Sequence, residues 1–444
     1  MQGIAIVGCG IVGSSVAKIL SRDHSMLQAR VTTSFSLVKI VDINFDRAKS
    51  LGLDETLFEK NLESVLKNPS IHCVVELVGG TTFAKEVIER SLNAGKHVVT
   101  ANKALLAHHG NELLALARKN NVVLAFEASC AGGIPVIRAL YDGLLANRID
   151  ALFGIVNGTC NYILTQMTLH GKTYETALSE AQKKGFAEAD PTLDVSGGDS
   201  AHKLAILAAL AFGQKINLDA VDVTGIDQLE LCDVMYGMDL GYVMKLLAIS
   251  IRQDGGITLA VKPSFISREH PLAWVSGPFN AVSIYGHATG HTMYYGRGAG
   301  GDPTASAVIS DILSVVNGSA RASFFGCTIW PDIADASRAM PVSEPVSRFY
   351  IRVMASDEPG VLAGIASILA KYGISISSVL QKEKDPDADM PEAVPVLITT
   401  YPARQNSVLE AIREVDELAV VQSKSVCINI IDEHPEWKHH KTQS

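Results

Sequence analysis

Apolar positions in the first 130 residues fall into short continuous runs, each followed by a stretch with helical spacing. Residues 3–20, GIAIVGCGIVGSSVAKIL, read as a buried strand, a glycine turn and a helix. Further strands are expected at 36–43 (SLVKIVDI), 72–80 (HCVVELVGG), 96–101 (KHVVTA) and 122–129 (VVLAFEAS). Helices are expected around 82–94 and 103–119. Strands alternating with helices predict a parallel sheet covered on both faces, an α/β dinucleotide-binding architecture over residues 1–130.

The punctuation changes from AGGIPVIRAL onward. A helix at 134–146, a strand at 150–159, helices near 161–184 and 199–212, and β-like segments between 255 and 300 predict an α+β domain over 131–330 with its own sheet. A glycine loop feeding another helix follows at 294–313. Residues 331–345 lack periodicity and are rich in proline, which suits a linker. Over 346–432 the order strand, helix, strand, strand, helix, strand predicts a compact βαββαβ unit. A polar tail, 433–444, closes the chain.

Composition narrows the function classes. Charged residues make up 19% and hydrophobic ones 47% of 444 residues, which argues for large cores and against disorder. A net charge of -9 argues against a nucleic-acid partner. The seven cysteines are scattered and never in C-x-x-C spacing, so reduced thiols and a cytoplasmic location are expected. No apolar run is long enough for a membrane span, and the N-terminus lacks the basic region of a signal peptide.

Gly8, Gly10 and Gly13 form G-x-G-x-x-G between a strand and a helix, the Rossmann-type fingerprint. The helix N-terminus, from Ile11 and Val12, offers amide donors to a pyrophosphate. Asp42 ends the second strand, where a carboxylate meets a ribose 2′-hydroxyl; Arg47 nearby complicates the choice between NAD and NADP. Thr100, Asn102 and Lys103 lie just past a strand's C-terminal end, the ligand-binding edge of such sheets.

GFAEADPTLDVSGGDSAHKL, residues 185–204, crowds Glu188, Asp190, Asp194 and Asp199 ahead of Lys203. Asp199 and Lys203 are spaced i, i+4 and share one helical face. A metal site, an acid/base centre and a solvated turn remain open, although the carboxylates do not fit the EF-hand pattern.

Several motifs then coincide. GCGIVG, VVELVGG, TANKALLA, FEASCAGGIPVI, IVNGTCNYIL, GFAEADPTLDVSGGDSAHKL and GAGGDPTASAV follow one another in the order found in homoserine dehydrogenases. Residues 1–325 resemble that family, and 346–432, with DEPGVLAGIASILAKYGISI, resemble the ACT regulatory domain appended to many bacterial members. The resemblance implies NAD(P)-dependent interconversion of L-homoserine and L-aspartate 4-semialdehyde, on the path to threonine and methionine. It implies that Lys103 and Lys203 flank the reacting oxygen as acid/base groups, with Asp199 fixing Lys203 or binding substrate. Glu188 meets the substrate ammonium, and Gly158, Thr159 and Asp194 bind substrate too. A lysine serves as base when its pKa falls toward the working pH, which burial and a second cation both promote.

By the same resemblance, Gly79, Gly80, Gly300 and Gly301 join the cofactor site, the segment 294–325 returning to the first domain. Backbone carbonyls of Glu127, Cys130, Gly132 and Ile134 hold a sodium ion, which leaves Cys130 a core thiol rather than a nucleophile. Gly360, Val361 and Leu362 receive an amino-acid effector, with threonine the leading choice. A homodimer through the second domain's sheet, or a homotetramer through ACT pairing, is expected. Two residues depart from the family pattern: Phe186 stands where tyrosine is common, and Cys160 where threonine is common. Phe186 leaves room for an alternative amino-acid alcohol or semialdehyde as substrate; a catalytically dead amino-acid sensor is the alternative of a different class.

Overall fold

The N-terminal strands form because runs of Val, Ile and Ala can be buried on both faces of a parallel sheet. In the computed structural model, which describes residues 1–253, 256–334, 345–382 and 393–431, these runs become β1 (Gln2–Val7), β2 (Phe35–Val41), β3 (Phe58–Glu59), β4 (Ile71–Glu76), β5 (His97–Thr100) and β6 (Leu124–Ala125). Their order is β3-β2-β1-β4-β5-β6, every pair parallel. That is the doubly wound dinucleotide-binding topology.

Two expected strands are shorter than their apolar runs. Leu77–Gly80 leave β4 as a loop, and Phe126–Cys130 leave β6 as a buried 3-10 turn centred on Glu127–Ser129. An apolar run reports burial, and a buried loop satisfies it as well as a strand. The helix expected at 134–146 is a short helical turn, Val136–Arg138, continued by a π-turn at Ala139–Gly143.

The chain divides into two compact units. The first comprises 1–158, 198–221 and 278–337. Besides the parallel sheet it holds three antiparallel strands, Ile149–Ile155, Phe279–Gly286 and Gly290–Arg297. Helix Gly198–Phe212 packs on helix Lys103–Lys119, and helix Gly301–Val316 packs on helix Ile11–Arg22. The second contact needs glycine: a Cβ on Gly301 would lie 2.8 Å from Ser15 Oγ.

The second unit comprises 159–197, 222–277 and 338–444. Its sheet runs Tyr242–Gln253, Gly256–Ser267, Val426–Ile431, Val346–Ser356, Ala393–Thr400, Ile376–Gln381. The last four strands, with helices Val361–Lys371 and Gln405–Asp416 on one face, make the βαββαβ unit and its core of Phe349, Ile351, Ile365, Leu369, Ile398 and Ile412. Strand Val426–Ile431 also pairs in parallel with Gly256–Ser267, so one sheet runs through both parts of this unit.

Strand Tyr242–Gln253 and helix Leu231–Asp239 are absent from the sequence-based expectation. Lys245 breaks the strand's apolar run, and the helix carries no capping signal. That helix is tied to the neighbouring sheet by charge. Arg352 donates to Asp233 Oδ1 and Oδ2 at 2.6 and 2.9 Å, and Tyr350 donates to Oδ1 at 2.9 Å, all in buried surroundings. Most of the expected linker, 335–344, and the tail, 433–444, lie outside the described residues.

Candidate active site

Helix Lys103–Lys119 begins where β5 ends, capped by the Asn102 side chain, which accepts from Leu105 N–H at 3.1 Å. Thr100 Oγ1 donates to Glu76 Oε2 at 2.6 Å, and Glu76 Oε1 accepts from the Val78 and Gly79 amides. Asn102 Nδ2 donates to the Gly80 carbonyl at 2.7 Å, which closes a hydrogen-bonded rim around the ends of β4 and β5. Glu76, fully buried at the foot of this rim, has no assignment in the sequence analysis.

This geometry puts Lys103 on the first position of a helix, the end where a cation is disfavoured by the helix dipole. Asp199 offsets it. Its Oδ1 lies 2.9 Å from Lys103 Nζ, and its Oδ2 lies 2.7 Å from Lys203 Nζ, one turn along helix Gly198–Phe212. Lys203 also donates to the Val156 carbonyl at 2.6 Å, and Asn157 Nδ2 donates to Asp199 Oδ2 at 2.9 Å. Burial alone raises the Asp199 pKa, but the Lys203 and Lys103 ammonium groups overcome it and hold the carboxyl well below the usual carboxylate range. Lys203 is enclosed, whereas the Lys103 side chain is 36% exposed. One permanent carboxylate thus carries two ammonium groups, an arrangement suited to moving a proton at a developing alkoxide. The i, i+4 pairing was readable from spacing; the bond to Lys103 and the Asn157 contact were not, although Asn157 sits in the same NGT motif as Gly158 and Thr159.

The remaining predicted substrate residues lie in the second unit, apart from Gly158, which opens helix Gly158–His170. Thr159 Oγ1 faces two acceptors, the Phe186 carbonyl at 2.6 Å and Asp194 Oδ2 at 3.1 Å. Cys160 Sγ donates to the Asp194 carbonyl at 3.2 Å. Glu188 is exposed, its carbonyl accepting from Gln182. Asp190 accepts from the amide and hydroxyl of Thr192, a loop-shaping contact. The Phe186 ring lies 5.0 Å from that of Tyr162, and it is the Phe186 carbonyl that accepts from Thr159.

The glycine turn fits a dinucleotide. Gly8 has φ +97, and a Cβ there would meet the Leu77 carbonyl carbon at 2.6 Å. A Cβ on Gly13 would overlap the Gly8 carbonyl, whereas one on Gly10 would meet nothing within 4 Å. Gly10 precedes the helix carrying Ile11 and Val12, so its open side leaves the helix N-terminus accessible to an anion. The Asp42 carboxylate accepts the Cys9 amide through Oδ2 and the Ile43 and Asn44 amides, at 2.7 and 3.0 Å, through Oδ1. Arg47 Nε donates to Ser14 Oγ at 2.9 Å. Gly79 and Gly80 (φ +82 and +70) turn the loop after β4, and Gly300 (φ +122) caps helix Gly301–Val316.

The loop expected to hold a cation turns through two left-handed residues, Ala131 (φ 54) and Gly132 (φ 56), and a Cβ on Gly132 would lie 2.5 Å from the Gly298 carbonyl oxygen. Glu127 braces it: its carboxylate accepts from the Ile137 and Arg138 amides, and its own amide donates to Asp311. Burial pushes the carboxyls of Glu127 and Asp311 up to about 7. The Ile134 carbonyl already accepts from Val136 N–H at 2.8 Å. Burial pushes the Cys130 thiol up to about 12, which keeps it protonated and unreactive at neutral pH. Gly360 (φ +96), Val361 and Leu362 form the turn into helix Val361–Lys371, with Gly360 and Leu362 exposed.

Comparison with known proteins gives this geometry its family. Residues 135–313 match the homoserine dehydrogenase family model, 8–127 its NAD-binding domain and 349–418 the ACT domain. The chain is 40% identical over 430 residues to homoserine dehydrogenase of Pseudomonas aeruginosa, covering 96% of this chain and 98% of that one. The chain belongs to the homoserine dehydrogenase family. It is accordingly an NAD(P)-dependent oxidoreductase with a C-terminal ACT domain. A solved homoserine dehydrogenase from Thiobacillus denitrificans superposes with a TM-score of 0.91 at 39% identity, covering 97% of this chain and 98% of that chain. A hyperthermophilic archaeal homoserine dehydrogenase, solved in complex with NADPH, superposes with a TM-score of 0.59 at 27% identity, covering 71% of this chain and 97% of that chain.

Proposed function

We propose that the Lys103–Asp199–Lys203 centre handles the proton released when the side-chain hydroxyl of L-homoserine is oxidised to L-aspartate 4-semialdehyde. A bound nicotinamide supplies the other half of the chemistry by accepting hydride from the carbinol carbon. Lys203 spends two of its three donors on Asp199 and Val156, which fixes the direction of the third. For the oxidation one of the two lysines enters as the neutral amine and takes the hydroxyl proton as hydride leaves the carbinol carbon; Lys103, on the exposed side of the same carboxylate, passes it on to solvent. In the reduction direction the two ammonium groups polarise the aldehyde oxygen and protonate it. Asp199 stays anionic throughout, holding both lysines in place without taking the proton itself. Thr159 and Asp194 are assigned to the amino-acid end of the substrate, and Glu188 to its ammonium.

The observation that carries this reading is one buried carboxylate within 2.7 and 2.9 Å of two lysine ammonium groups. Nicotinamide absorbance, followed with homoserine and each dinucleotide in turn, tests it. Reduction of at least one cofactor is expected; no turnover with either overturns it. NAD is the preferred cofactor in this reading, because three backbone amides hold Asp42 where a 2′-phosphate would meet its charge. A higher kcat/KM with NADP than with NAD would reverse that assignment.

The left-handed loop at Ala131–Gly132 supports a monovalent cation, for which neutral carbonyl oxygens of Glu127, Cys130, Gly132 and Ile134 are suitable ligands. The exposed turn at Gly360–Leu362 supports an amino-acid effector at the ACT domain, threonine being the natural end-product candidate. A cytoplasmic homodimer or homotetramer completes the proposal; no described helix is long and apolar enough to cross a membrane.

A further inference from the structure

Lys245 sits in the middle of strand Tyr242–Gln253 at 2% exposure, and its recorded partners are all neutral. Its ammonium donates to the Val275 carbonyl at 2.5 Å and to Asn161 Oδ1 at 3.2 Å. Burying a cation without a carboxylate is costly, and a methionine would fill the same space without that cost. Burial accordingly pushes this ammonium down to about 8. A group that opposes folding in this way calls for a use.

Its surroundings indicate one. Asn161 Nδ2 donates to the Val275 and Gly277 carbonyls at 3.2 and 2.9 Å. The Asn161 carbonyl accepts from Thr165 Oγ1 at 2.6 Å, and Thr165 Oγ1 accepts from Gly277 N–H at 3.0 Å. This network fixes the first turn of helix Gly158–His170 against the 275–277 turn. On that same turn, two residues before Asn161, Thr159 reaches Asp194. Without the Lys245 donor, the Val275 carbonyl would keep the longer bond from Asn161 Nδ2 at 3.2 Å, and the tie between the helix start and the 275–277 turn would loosen.

We infer that Lys245 is a positioning residue for substrate: through Asn161 it sets the first turn of helix Gly158–His170 and so the Thr159–Asp194 contact. The inference rests on the assignment of Thr159 and Asp194 to the substrate's amino-acid end.

The test is a double-mutant cycle on the full chain between Lys245→Met and Thr159→Val, reading KM for homoserine, kcat and the dinucleotide dissociation constant. Lys245→Met is expected to raise the homoserine KM about tenfold, the worth of one charge-assisted hydrogen bond, with kcat and dinucleotide affinity within about twofold. On the Thr159→Val background it should add little, because the contact it positions is already gone. Additive effects, an unchanged KM, or a matched loss in all three constants overturn the inference. Asn161→Ala, which removes the link but keeps Lys245, should raise KM similarly and serves if Lys245→Met does not fold; an unchanged KM in that variant also overturns it. If Thr159→Val alone leaves KM unaltered, the substrate assignment fails instead.

Discussion

At the scale of single residues, the proposed proton transfer turns on Asp199. Replacing it by asparagine removes the charge that holds two lysines, so Asp199→Asn should lower kcat at least about a hundredfold, as with other lost electrostatic partners in active sites. The same residue makes a prediction for acid stability. Its folded-state pKa is depressed, so its contribution is full above the unfolded value of about 3.9 and is lost as pH falls toward the folded value. Melting temperatures measured between about pH 5 and pH 2 should fall more steeply for the native chain than for Asp199→Asn; parallel curves would remove Asp199 from that balance. What was legible here follows the helix period. Spacing put Asp199 and Lys203 on one face, but no local pattern links either to Lys103, because that contact exists only once two helices pack. Asn157 and Glu76 were missed for the same reason: each is a polar residue at a strand's end, recognisable only when its partners are in place. Phe186 looked consequential as a departure from the family pattern. Thr159 uses its carbonyl, not its ring, so Phe186→Tyr should leave kcat unchanged.

At the scale of elements, the glycine turn separates folding from binding. Gly13→Ala would drive a methyl into the Gly8 carbonyl and should disrupt the turn. Gly10 has φ -69 and open space around its Cα, so Gly10→Ala should leave the melting temperature nearly unchanged while weakening dinucleotide binding. Equal affinity in titrations of the two proteins would mean the pyrophosphate lies elsewhere. Helix Leu231–Asp239 offers a second case. The Asp233–Arg352 pair is buried and bidentate, so removing one partner strands the other charge. Arg352→Met should cost about 3–5 kcal/mol in denaturant unfolding, whereas the pair Asp233→Leu with Arg352→Met should cost much less. Element identity was readable wherever the apolar period was clean, as in the parallel sheet and the βαββαβ unit. It failed where the period and the burial disagreed: Lys245 masks a buried strand, and the apolar run through Phe126–Cys130 is a buried turn.

At the scale of the molecule, the sheet shared by Gly256–Ser267 and Val426–Ile431 changes how regulation should be probed. Removing the C-terminal residues would strip a strand from Gly256–Ser267 and expose its hydrogen-bonding edge, a source of aggregation in its own right. The proposed threonine sensitivity is better tested in the full chain with Gly360→Val, which forces a β-branched residue into a left-handed turn. Loss of threonine inhibition with unchanged kcat is expected; full inhibition would move the effector elsewhere. The central claim is that two lysines on one carboxylate transfer the proton of homoserine oxidation. Steady-state turnover of Lys203→Ala, measured beside its dinucleotide dissociation constant, tests that most directly. The account predicts kcat lower by about a thousandfold or more, in the upper range for a positioned acid/base group, with dinucleotide affinity within about twofold. Near-native turnover in that variant would contradict it.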